Sequence, residues 1–173
     1  MTNNADQSEH QFSTRHVFMA DRYWGSEYLI LCVPSRYTVK ILQIHAGFKG
    51  GLQYHHFKIE CGLILNGKLE VCVMDKNQPK SYILHPNDFF FFPRGLIHQE
   101  RAIEETVIFE ASTPHFNDRV RIDNDLNNQL SSTLPSEVLE ITSNNELHLL
   151  SEYGFQPSTI DQVPFVHLVN IYQ

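Results

Sequence analysis

The chain predicts an all-β domain, built as an antiparallel sandwich or small barrel. Three observations lead there. Between Arg22 and Ser112, short β-branched and aromatic runs alternate with glycine, proline or asparagine breaks. The breaks themselves have turn chemistry, above all Asn66-Gly67 and the Pro93 and Gly95 pair. With 173 residues, a hydrophobic content of 42% and Phe 12 in the composition, the chain can enclose one core but leaves little room for a second.

In chain order, the pattern predicts strands at Glu27 to Cys32, Thr38 to Ile44, Leu52 to Phe57, Glu60 to Leu65 and Leu69 to Met74. Four more follow at Ser81 to Leu84, Asp88 to Phe92, Ile97 to Ala102 and Thr106 to Ala111. In "LNGKLEV", Asn66 and Gly67 tolerate the positive φ of a tight hairpin. "DFFFF" carries aromatic side chains on both faces of one strand. One face fills the core, and the other needs a cover, such as a second copy of the chain or its own C-terminal segment.

After Ser112 the pattern weakens into the polar connection "TPHFNDRVRIDNDLNNQ". "LPSEVLEI" and "NNELHLLSEYG" read as two short helices, the second with an asparagine cap and Gly154 as its stop. "VPFVHLVNIY" is apolar enough to pack as a strand or helix. The opening "MTNNADQSEHQF" lacks the basic and apolar parts of a secretion signal, and no apolar run approaches the roughly 20 residues of a membrane span, so the expectation is a cytoplasmic protein.

A net charge of -7 argues against a broad nucleic-acid-binding face while leaving room for a small basic pocket. Cys32, Cys61 and Cys72 form no CxxC pair and read as buried free thiols.

"YHHFKIECG", Tyr54 to Gly62, concentrates the chemistry. In an extended strand Gln53, His55 and Phe57 point one way, and Tyr54 and His56 the other. A turn at Lys58 and Ile59 lets Glu60 return toward the same inner face, and His98 opens a later strand. Gln53, His55, Glu60 and His98 then converge as one amide oxygen, two imidazoles and one carboxylate, a set suited to a divalent metal. Parity excludes His56.

These residues resemble the cupin superfamily. Gly47, "FKGGL", Gln53 to His55, "HFKI", Glu60, "CGLILN" and Gly67 follow the first cupin motif, with Gln53 in the first histidine position. Asn87, Pro93, Gly95 and His98 follow the second, with asparagine in place of its opening glycine and Ala102 where an asparagine is common. "RYWGSEYLI", "VKILQIHAG" and "LQYHHFKIE" are similar to the small cupins related to phosphomannose isomerase, and "EASTPHFNDRVRI" to the segment after the barrel in sugar-nucleotide-associated members.

The resemblance covers roughly Tyr23 to Thr113. It implies a single-domain jelly-roll, or double-stranded β-helix; the expected division is a polar arm at 1–14, a cupin barrel at 15–113 and a C-terminal extension at 114–173, which the resemblance does not explain, packed on the barrel or a partner. It also implies one divalent metal (zinc, manganese, iron or nickel) on Gln53, His55, Glu60 and His98, with Lys58 near the substrate end.

The function expected is a metal-dependent isomerase or epimerase acting on a sugar or sugar phosphate, in which the metal lowers the cost of an enediol or enediolate. Lys58 and Glu100 are the candidate proton carriers, Glu100 because it shares the parity of His98. Lys40, Lys58 and Arg94 are candidate substrate-binding cations. Tyr54 and Tyr82 read as packing groups. Two alternatives use the same pocket: an iron-dependent dioxygenase, and a sugar-binding or regulatory module without turnover. The expected partners are a small sugar ligand and a second copy of the chain, with neither nucleic acid nor membrane.

Overall fold

In a computed structural model, described over residues 16–76, 78–122, 139–142 and 144–164, two antiparallel sheets face each other. The strands are β1 (His16–Arg22), β2 (Gly25–Val33), β3 (Tyr37–Ile44), β4 (Gln53–His55), β5 (Glu60–Asn66) and β6 (Leu69–Asp75). They continue as β7 (Gln78–Leu84), β8 (Phe89–Phe92), β9 (His98–Ala102), β10 (Thr106–Ser112) and β11 (Arg119–Arg121). A helix α1 (Glu146–Glu152), β12 (Gln156–Thr159) and a short 3-10 turn at Ile160–Gln162 follow. The larger sheet runs β12-β1-β2-β3-β10-β5-β8 and the smaller β11-β4-β9-β6-β7. This is the two-sheet antiparallel architecture that the strand pattern predicts, in the jelly-roll form that the resemblance implies.

All nine predicted strands are present, with ends shifted by up to three residues. The pattern misses β1, β11 and β12. Asn66-Gly67 does not close a hairpin: β5 pairs with β10 and β8, β6 with β7 and β9, and the turn carries the chain from one sheet to the other. Gly67 is required there, since its φ is +85° and a Cβ would stand 2.1 Å from the Glu105 carbonyl oxygen.

The alternation of each strand sorts its side chains between core and surface. Phe90 and Phe92 join Ile44, Ile64, Leu69 and Ile108 between the sheets. Their neighbours Phe89 and Phe91 remain 77% and 57% exposed on the outer face of edge strand β8. Farther along that outer face, Val163 covers Tyr28, Ile41 and Val107.

α1 packs Leu149 and Leu150 on Ala20, Leu29 and Phe155. It ends in a left-handed Gly154, with Gly154 N–H donating to Ser151 O at 3.0 Å and Phe155 N–H to Leu150 O at 2.9 Å. Asn145 stands at its start without capping it; its Oδ1 accepts from the Thr142 amide instead. In the other expected helix, the described residues 139–141 are not helical, Glu140 forms an isolated antiparallel bridge with His115, and the remainder lies outside the described residues. So do the arm at 1–14 and the stretch from Phe165 onward.

All three cysteines are free, but Cys61 is exposed and the other two half-buried, because Cys61 falls on the outer face of β5. Tyr82 is likewise exposed on β7 rather than packed. No helix among the described residues is long and apolar enough to cross a membrane.

Candidate metal centre

β4 is short for a local reason. The Asp118 carboxylate accepts the amides of Phe57 and Lys58 at 2.8 and 2.6 Å, which turns the chain out of the strand just after His55. Gln53 and His55 therefore keep the common inward face, while the parity expected of Phe57 is lost; Phe57 and His56 are exposed. After the turn, Glu60 opens β5, and His98 opens β9 directly opposite Gln53. One ligand atom each from His55, Glu60 and His98 lies within 4.8 Å of the other two, and Gln53 lines the same cavity as His55 and Glu60.

The donors are prepared for a cation. His98 Nδ1 lies 2.9 Å from the Leu96 carbonyl, which can only accept, so this nitrogen carries the proton and Nε2 is left with a lone pair. Nε2 is the buried side-chain polar atom without a hydrogen-bond partner among the described residues. His98 is 1% exposed, and its ring stacks on Phe92 at 4.2 Å between centroids. An orphan of this kind costs about 1–3 kcal/mol unless something meets it.

His55 repeats the arrangement. Its Nδ1 is 3.0 Å from Asp118 Oδ1, which in the neutral ring directs the Nε2 lone pair at Glu60 Oε2, 3.4 Å away. Two acceptors so placed repel each other unless a proton or a cation stands between them. The paired carboxylate and imidazole also fix ring orientation and tautomer, as partners behind metal-binding histidines do.

Charge is arranged to the same end. Burial alone would raise the Glu60 carboxyl, but Lys58 and His55 outweigh it and hold it at about 2. Burial would lower the Lys58 ammonium, but Glu110 and Glu60 outweigh that and hold it charged far above neutrality. For His98, burial prevails and keeps the ring neutral, the form in which it ligates. Asp118, with no exposed surface, is kept ionised against its burial by His55 and the two amides.

Gln53, His55 and Glu60 line a cavity of about 530 Å³. Lys58 reaches it, bonded to Glu60 and 3.5 Å from Glu110. Lys40 also faces inward but is held by Glu27 at 2.6 Å. Glu100 is inward too, though on a smaller adjoining cavity of about 120 Å³ beside Trp24 and Phe48; burial, then Glu60 and Glu110, raise it to about 8. Arg94 is exposed and lines neither cavity.

Three residues of the site lie in "EASTPHFNDRVRI" but are not singled out by the sequence reading. Asp118 acts through register; His115 lines the larger cavity; Arg119 lines both. The alternation of Val120 and Ile122 between arginines was the available clue to β11.

Comparison with known proteins agrees with this architecture. Residues 40–110 match the family model described as a Cupin domain. The solved structure of KdgF from Halomonas sp. aligns with a TM-score of 0.51 at 18% identity, covering 58% of this chain and 90% of that one. The capsular polysaccharide assembling protein CapF from Staphylococcus aureus aligns at 0.48 and 19% identity, over 60% of this chain and 29% of that one. Oxalate decarboxylase from Bacillus subtilis aligns at 0.48 and 18% identity, over 59% and 29%. At 18% identity the likeness to KdgF is one of fold. No curated protein sequence matches the chain.

Proposed function

We propose that this cupin-fold protein is a metal-dependent isomerase or epimerase of a sugar or sugar phosphate. The observation that carries the reading is the unpartnered Nε2 of buried His98, on a ring whose ligand atom lies within 4.8 Å of those of His55 and Glu60. Gln53, His55, Glu60 and His98 would hold the ion. A divalent metal there supplies Lewis-acid polarisation of a sugar carbonyl and its neighbouring hydroxyl.

The residues of the chain divide the remaining work. Lys58, charged and engaged by two carboxylates, fixes Glu60 and does not accept a proton. Glu100, raised to about 8 by burial and then by Glu60 and Glu110, suits a proton donor better than an acceptor. His115 is the better acceptor: its ring lines the metal-facing cavity, its Nδ1 is 3.0 Å from the Thr113 hydroxyl, and burial lowers its pKa despite Asp118 and Glu140. A neutral imidazole at pH 7 suits removal of a proton from the carbon beside the carbonyl. A second copy of the chain covering Phe89 and Phe91 belongs to the same reading, because that outer face is apolar and uncapped among the described residues.

The test is aldose–ketose interconversion followed by exchange of the C2 proton with solvent deuterium, before and after chelation. Exchange that stops with the chelator supports the reading. Turnover in metal-free protein overturns it, as does saturable sugar binding without exchange, the mark of a binding module. Oxygen uptake with ferrous iron and not with zinc would make the protein a dioxygenase instead.

A further inference from the structure

Four cationic side chains line the larger cavity, and three are matched. Arg22 and Lys40 meet Glu27 at 3.0 and 2.6 Å, and Lys58 lies between Glu60 and Glu110. The fourth, Arg119, has no side-chain ion pair or hydrogen bond among the described residues, although it lines both cavities.

Its position is set by register. β11 runs antiparallel to β4, with Arg119 opposite His55 and Arg121 opposite Gln53. Directly opposed residues share a face, so both guanidinium groups rise from the face that carries two of the proposed metal ligands. Arg121 extends past Gly51 into the wall of the smaller cavity, its Cδ 3.9 Å from where a Gly51 Cβ would be. Two like charges two residues apart on one face repel. Both arginines keep exposed surface, yet partial desolvation and then Arg121 lower the Arg119 pKa, against weaker opposing effects of Tyr23, Glu60 and Glu27. An anion at Arg119 would offset the repulsion it feels and fill its donor fork.

We infer that Arg119, with Arg121 beside it, anchors an anionic group of the ligand, so that the substrate is a sugar phosphate or a sugar acid and not a neutral sugar. The inference deepens the isomerase reading and rests on it for the identity of the ligand. The anion site itself needs no metal.

The chain contains one tryptophan, Trp24, and it lines both cavities, so its fluorescence reports occupancy. The experiment titrates chelator-treated protein with inorganic phosphate and, separately, with acetate, then repeats both with metal restored. Wild type should bind one of the two saturably without metal; phosphate binding identifies a phosphate ligand and acetate binding a carboxylate. Arg119→Gln should weaken that binding at least about ten-fold while leaving metal content unchanged. Arg119→Lys should fall between, and Arg36→Gln, on an exposed turn, should match wild type. Arg119→Gln protein that binds the anion as well as wild type, or wild type that binds neither anion, overturns the inference. Anion binding that depends on Arg119 in a chain that never takes up metal would sustain this inference and end the isomerase reading.

Discussion

Asp118 Oδ1 lies 3.0 Å from His55 Nδ1, across 63 residues of sequence, and the same carboxylate closes the turn that ends β4. One buried side chain therefore sets both where the ligand-bearing strand stops and how its histidine presents a lone pair.

Replacing Asp118 separates these two tasks. Asp118→Asn keeps the shape but loses the charge that holds the His55 tautomer, and metal affinity should fall about 10–100-fold in competition with a chromogenic chelator. Asp118→Ala also strands the amides of Phe57 and Lys58, and should cost a further 1–3 kcal/mol or so of stability in urea unfolding.

His98→Phe tests the orphaned nitrogen. Phenylalanine retains the stack on Phe92 but gives up both the Leu96 bond and the unmet Nε2, so metal-free stability should stay within about 1–2 kcal/mol of wild type. Metal at about 100 times its dissociation constant should stabilise wild type by roughly 2.7 kcal/mol and leave the variant's melting temperature unmoved.

Lys58→Met would leave Glu60 and Glu110 facing each other in the interior without their shared cation. Loss of one member of a buried ion pair costs about 3–5 kcal/mol, which urea denaturation at pH 7 would read directly. An unchanged midpoint would show that Lys58 is not the link between the two carboxylates.

Acid should destabilise the metal-free protein below about pH 4.5. Burial opposes ionisation of Glu27 and Glu60, yet their cationic neighbours lower both, Glu60 from 4.5 to about 2. A carboxyl with a lower pKa in the folded state binds fewer protons there than in the unfolded chain. Its stabilisation is thus complete above the ordinary carboxylate range and lost as pH falls through the folded value. Glu27→Gln, which leaves Lys40 unmatched, should be less stable at pH 7 and show a shallower loss between pH 5 and 2.

Much of this was legible in the sequence because strand alternation is a local rule. It placed Gln53 and His55 on one face, rejected His56, and split the phenylalanines of "DFFFF" between core and surface, which the structure resolves as Phe90 and Phe92 inside with Phe89 and Phe91 outside. What it missed depends on pairing between distant strands. Asp118 and Arg119 matter because β11 lies beside β4, and a three-residue strand has too little pattern to announce itself. Lys40 looked available for substrate, but Leu29 is its partner and Leu42 is the partner of Glu27, which makes the two charges diagonal neighbours on one face. The Asn66-Gly67 turn has hairpin chemistry, and only the register on either side shows that it joins two sheets.

The most direct measurement is the metal content of the intact chain after equilibration with zinc, manganese, nickel or ferrous iron and removal of free ion. One divalent ion per chain, absent from His55→Ala protein that still folds, is the expected result. A wild-type chain that holds none of these ions, or a folded His55→Ala chain that holds as much as wild type, would contradict the metal centre on which the functional reading stands.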